Sequence, residues 1–208
     1  MDVKTAIQKR RAYRALDRTR IPVRVMRALA ESARLAPSAL NRQPWRFVFV
    51  TDEDTLTQLF QALPTYNEWA ERASMIIAVC SHESADPVAY DRTIRPEAPN
   101  APRVKGHDDR RAYYMFDTGI ATGFMMLRAT ELGLVAHPIA GYLEVNVKQV
   151  LDVPDGQVVV ALLVVGPHAR GKKAIGALPR ALRKDETTRP PRLPVSRIAF
   201  RDRYGSGL

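Results

Sequence analysis

A chain of 208 residues with 46% hydrophobic and 26% charged residues has an ordinary globular composition, which excludes a largely disordered protein. Its formal charge of +10, from 32 Lys and Arg against 22 Asp and Glu, makes nucleic acid, membrane surfaces and small anions candidate partners. No apolar run reaches the length of a membrane span and no basic-capped apolar leader opens the chain, so the expectation is a cytoplasmic protein built as one domain over 1–208.

Asp2 is placed to cap a short helix through about Arg10, which delivers Arg10, Arg11 and Arg14 at or just past its end. Pro22 opens a second helix, with Val25, Met26, Leu29, Ala30, Ala33 and Ala36 at three- and four-residue steps. The loop Pro37–Pro44 stops it. Trp45–Val50 is apolar on both faces apart from Arg46 and reads as a strand covered on both sides. Asp52 caps a helix carrying Leu56, Leu59, Phe60 and Leu63, and a short segment around Asn67 and Trp69 leads to a second buried strand, Met75–Cys80.

Residues 82–107 hold prolines at 87, 96, 99 and 102 and read as an irregular surface excursion. The longest helical pattern opens at Asp108 or Asp109 and runs through Leu132 to Gly133. Its middle is apolar nearly all round, with Gly119 and Gly123 four apart, which suits a central helix or an oligomer interface. A helix near Val145–Leu151, a Pro154-Asp155-Gly156 turn and an apolar strand Val158–Val165 follow the segment Leu134–Tyr142. Residues 167–208 are polar, basic and without a core of their own, so they need another surface to lie on. The order of elements gives an α+β protein with helices on both faces of a sheet.

Cys80 stands alone in an apolar run and reads as a buried structural thiol, and the four histidines, at 82, 107, 137 and 168, lack the spacing of metal ligands. The basic residues gather at the two ends, in 9–20 and 171–203. The arginine fork suits phosphate, so Arg10, Arg11 and Arg14, completed by Arg189 and Arg192, form a candidate anion pocket. The competing explanation is a solvated helix end whose cations favour the C-terminal dipole. No Walker loop, dinucleotide fingerprint, nucleophile elbow or zinc motif is present, nor an aromatic-interleaved nucleic-acid surface. A chain without its own catalytic side chains turns to a bound cofactor.

Four stretches, "IQKRRAYRAL", "LAPSALNRQPWRFVFV", "GLVAHPIAGY" and "PPRLPVSRIAF", stand in the order and spacing of a known signature. Together they resemble the FMN-dependent nitroreductase family. The resemblance implies a three-layer α-β-α fold around a central mixed, mainly antiparallel sheet. It also implies an intertwined homodimer with FMN at the subunit interface and a C-terminal extension, 167–208, embracing the partner. NADH or NADPH would be the co-substrate and a nitroaromatic, quinone or similar small molecule the acceptor, in a ping-pong sequence. A specialised flavin reaction on the same fold is the alternative, and a basic nucleic-acid module ranks last.

The resemblance assigns the flavin phosphate and the polar side of the ring to Arg10, Arg11, Ala12 and Arg14, with Arg192 also reaching the phosphate. Pro37, Ser38, Ala39 and Asn41 would line the ring from the neighbouring subunit. Asn67 would meet its pyrimidine end, and Pro138, Ile139, Ala140 and Gly141 would pass its redox edge. The chain departs from the family pattern at Ala12, where many relatives carry serine, and at Ala140 and Pro190. Neither a metal nor a membrane is expected.

Overall fold

The computed structural model of the chain describes residues 1–82 and 113–207. Apart from His82, the Pro-rich excursion at 82–107 falls outside the described residues, as do 108–112, where the long helix was expected to open. Helix α1 spans Val3–Lys9, and the Asp2 carboxylate accepts from Thr5 N, the capping bond expected of it. Helix α2 spans Val23–Arg34 with Pro22 as its N-cap. Strand β1, Trp45–Val50, is followed by α3, Glu53–Gln61, whose N-cap Asp52 accepts from Thr55 N. Two runs of 3-10 turn, Ala39–Asn41 and Thr65–Arg72, precede β1 and β2 respectively, where β2 is Met75–His82.

Helix α4, Tyr113–Glu131, ends before Gly133, which takes φ +78, a left-handed C-terminal stop that favours glycine. Strand β3, Leu134–Ile139, helix α5, Glu144–Val150, and strand β4, Gln157–Pro167, follow. Two short helices, α6 at Lys172–Gly176 and α7 at Arg180–Thr187, occupy the start of the C-terminal segment.

The four strands form one sheet in the order β1-β2-β4-β3, and every pairing among the described residues is antiparallel. The inner places fall to the two most continuously apolar strands, β2 and β4, because an inner strand buries both faces. Strand β1 is an edge strand. Its Phe47, Val48 and Phe49 are half-buried, so the expected cover on both faces is incomplete. The other edge is β3, which the sequence pattern did not announce as a strand. Its Pro138 suits that place, since a residue without an N–H is tolerated where the ladder has one neighbour.

Alternate side chains go to two cores. Leu29, Met75, Ile77, Met125 and Leu163 meet under α2 and α4 on one face. Leu56, Leu59, Ile76, Val147, Leu162 and Val164 meet under α3 and α5 on the other, which makes the three-layer α-β-α arrangement. Each fully buried aliphatic side chain contributes roughly 1.5–3 kcal/mol of burial. Cys80 lies in the second core, and burial pushes its thiol up to about 11, so it stays a neutral thiol.

The C-terminal segment finds part of the surface it needs on the chain's own body. Ala169 and Leu178 are buried in the second core, and Ala174, Ile175 and Leu182 pack against it. Only beyond α7 does the chain run exposed, through Leu193, Val195, Ile198 and Tyr204. On α4, Phe116 and Phe124 are exposed, and a Cβ at Gly119 or Gly123 would meet nothing within 4 Å. Among the described residues, nothing covers that glycine face.

Candidate cofactor site

Residues 10–22 form neither helix nor strand, so tertiary bonds must hold the arginines they carry. Tyr13 O lies 3.2 Å from His137 Nδ1, which fixes the proton of the neutral imidazole on Nδ1 as the donor. The His137 ring stands 4.6 Å from Trp69, and the Arg14 guanidinium lies 5.8 Å over the Trp69 ring. Two positions before Trp69, Asn67 Nδ2 donates to Gly141 O at 2.9 Å. These contacts bring Arg14, Asn67 and the end of β3 into one neighbourhood.

The far end of the chain arrives at the same place. Arg189 donates to Gln8 O and, at 3.1 Å, to Arg10 O, while Arg11 donates to Thr188 O at 3.2 Å and lies 4.9 Å over Tyr13. Burial pushes the Arg10 guanidinium below its ordinary value, and the cations of Arg189, Arg192 and Arg11 push it further. Half-buried Arg10 and Arg11 thus meet exposed Arg189 and Arg192, and the guanidinium fork of each matches phosphate oxygens. A solvated helix end would not draw in two arginines from the opposite terminus.

His137 is buried, and desolvation lowers it to about 4, with Arg14 and Arg10 adding to the effect against the Tyr13 bond. It is therefore a neutral structural imidazole beside the cations. His168 stacks on Tyr13 at 3.7 Å and is also lowered, chiefly by burial, against the opposing pull of Glu186. Glu186 is buried in α7, accepts from Arg14 N at 2.7 Å and stands 3.4 Å from His168 Nε2. Tyr13, Trp69, His137, His168 and Glu186 were absent from the candidates drawn from sequence. Tyr13 and His137 lie within the signature stretches, whereas Trp69, His168 and Glu186 lie outside them.

Of the segment 138–141, Ile139 is buried, Pro138 and Ala140 are exposed, and Gly141 is half-buried. A Cβ at Gly141 would stand 2.3 Å from the Tyr66 hydroxyl, so the missing side chain serves this ring contact in the chain itself. Gly141→Ala is expected to cost at most about 1 kcal/mol in denaturant unfolding, because exposed Tyr66 can swing away. The same change in a Tyr66→Ala background should cost close to nothing. An undiminished cost there would trace the effect to another contact.

Pro37, Ser38, Ala39 and Asn41 stand apart from this group. Their loop leads into β1 at one sheet edge, whereas Gly141 follows β3 at the other, three strand spacings or roughly 14 Å away. Ser38 Oγ accepts from Gln43 N at 2.9 Å, and the buried Asp117 carboxylate on α4 accepts from Ala39 N at 3.0 Å. Asn41 and Gln43 adopt left-handed backbone, φ 56 and 49, a cost that these bonds offset. Burial raises the Asp117 carboxyl, against the pull of the Ala39 bond and of Arg42. Ala12 is half-buried between Arg11 and Tyr13.

The family model for the nitroreductase family matches residues 7–167, most of the chain. The chain belongs to the nitroreductase family. This nitroreductase-family chain is 28% identical to the NADH dehydrogenase of Thermus thermophilus, over 80% of its own length and 86% of the relative's. It is 29% identical to an oxygen-insensitive NADPH nitroreductase of Helicobacter pylori, over 72% and 76%. In structure it resembles an oxidoreductase containing FMN with a TM-score of 0.79 and 27% identity, covering 99% of this chain and 94% of that one. The nitroreductase-family chain is accordingly an oxidoreductase. Among the described residues, no group of His, Cys, Asp and Glu could hold a metal, and no helix is long and apolar enough to cross a membrane.

Proposed function

We propose that this nitroreductase-family enzyme binds FMN, takes hydride from NADH or NADPH and reduces nitroaromatic, quinone or related small acceptors in a ping-pong sequence. The observation that carries the proposal is the convergence of Arg10 and Arg11 with Arg189 and Arg192 beside the Asn67–Gly141 contact. A phosphate-bearing ring with a polar edge suits that donor set. FMN, when bound, supplies the two-electron chemistry that the side chains lack.

In this reading Arg10, Arg11 and Arg192 hold the phosphate, with Ala12 between them contributing backbone alone. Arg14, held over Trp69, would supply a cation beside the ring, and a preset positive charge there would favour the reduced cofactor. Asn67 orients the pyrimidine end, and the backbone of Pro138, Ile139, Ala140 and Gly141 borders the redox edge. The chain functions as one FMN-binding domain over 1–208, in the cytoplasm, where reduced nicotinamides are supplied.

A second subunit completes the site. The open glycine face of α4, flanked by exposed Phe116 and Phe124, is the surface for a homodimer. The exposed side chains beyond α7, Leu193, Val195, Ile198 and Tyr204, are the part of the C-terminal extension left for the partner. The partner's copy of the loop Pro37, Ser38, Ala39 and Asn41 then forms the opposite wall of the ring site. This explains why that loop stands apart within one chain.

The purified protein is expected to be yellow, or to turn so on reconstitution with FMN. Its flavin absorbance should bleach anaerobically with NADH or NADPH and return on adding a quinone. A colourless protein that takes up no FMN and oxidises neither nicotinamide would end this reading.

A further inference from the structure

We infer that Glu186 is a positioning residue for the cofactor, holding the irregular arginine segment in the shape that binds phosphate. The inference rests on the FMN reading above and assigns a role to a residue outside the signature stretches.

The Glu186 side chain is 0% exposed. A carboxylate at that depth persists only where hydrogen bonds replace its water. Its replacements come from the arginine segment: Arg14 N at 2.7 Å on Oε1 and Ala15 N at 3.4 Å on Oε2. The same stretch is held from behind by Ala169 N donating to Ala15 O at 2.9 Å, and from the side by His137 on Tyr13 O. Tyr13 stacks on His168, whose Nε2 lies 3.4 Å from Glu186 Oε2. Just beyond Glu186, Thr188 O receives Arg11, and Arg189 donates to the carbonyls of Gln8 and Arg10.

The end of α7 thus grips residues 8–15 at both flanks of the arginines, with the carboxylate at the centre. Without it the Arg14 and Ala15 N–H groups lose their acceptor, and the segment, having no helix or strand of its own, relaxes. The arginines would then reach for phosphate from a spread of positions, and binding would bear the ordering cost.

The full-length wild type, Glu186→Ala, Glu186→Gln and Leu178→Ala are stripped of flavin, titrated with FMN, and melted without it. Glu186→Ala is expected to raise Kd at least about tenfold, equivalent to roughly 1.4 kcal/mol. Glu186→Gln keeps an oxygen for Arg14 N and should return Kd to within about threefold of wild type. Leu178→Ala opens a cavity in the same C-terminal segment, so it should lower the melting point while leaving Kd within about twofold. Should Glu186→Ala not fold, amide exchange in the wild type decides, with the Arg14 N–H expected to exchange at least about a hundredfold more slowly than in an unfolded chain.

The inference is overturned if Glu186→Ala binds FMN like the wild type, if Leu178→Ala weakens binding equally, if Glu186→Gln recovers nothing, or if the Arg14 amide is unprotected. A wild type that binds no FMN overturns the cofactor reading, and this inference with it. Wild-type binding with unchanged affinity in Glu186→Ala overturns the inference alone.

Discussion

Arg10→Ala is expected to weaken FMN binding by about ten- to a hundredfold, the span of roughly 1.5–3 kcal/mol for a charge-assisted hydrogen bond. Burial and three cationic neighbours disfavour the charge of Arg10, so an anion that relieves them gains from it. Arg192 is exposed and, among the described residues, bonds the nearby carbonyls of Pro190 and Pro191, so Arg192→Ala should cost less, about three- to tenfold. Arg10→Lys keeps the charge and loses the fork, which should leave an intermediate affinity. Added salt should narrow all these differences by screening. Flavin fluorescence titration reads the series, and unchanged affinity in both alanine variants would remove the phosphate role from these side chains.

Stability is expected to fall on mild acidification, with His137 as the main cause. The folded imidazole titrates at about 4, against a free value of 6.5. A histidine lowered in this way supports the fold fully above pH 6.5. As pH falls from there toward 4 the unfolded chain binds a proton that the folded chain refuses, and the support is lost. Over the whole window the loss amounts to about 3 kcal/mol, a large share of the stability of a protein this size. His168, lowered by burial as well, acts in the same direction. Urea unfolding at a series of pH values should show this slope, and His137→Gln should flatten it. A slope that survives His137→Gln unchanged would place the acid sensitivity elsewhere.

The parts of the fold that were legible in the sequence share one property: their signal is local. Asp2 and Asp52 cap the helices that follow them, and both capping bonds form. The apolar runs 75–80 and 158–165 became the inner strands because a fully buried strand needs no alternation. Strand β3 escaped notice because His137 and Pro138 interrupt its apolar pattern, and an edge position tolerates both. Helices α6 and α7 escaped for a related reason. They rest on a body built by other segments through a few partly buried residues, Ala174 and Ile175 of α6 and Leu182 of α7, too few apolar positions to announce a helix.

The candidate site divides along the same line. Arg10, Arg11 and Arg14 were visible as a charge cluster that Arg189 and Arg192 could complete, and the fold brings the two ends of the chain together there. Glu186 could not have been read from spacing. Its partners are backbone N–H groups 172 and 171 positions away, and a carboxylate in a basic helix looks like a surface charge until the fold closes over it.

The separation of the Pro37–Asn41 loop from the arginines has a consequence for handling the protein. In the proposed dimer each protomer owns half of each ring site, so cofactor occupancy and subunit association are linked by mass action. Dilution that splits the dimer would strip the cofactor, and excess FMN would hold the subunits together at concentrations where the flavin-free protein falls apart.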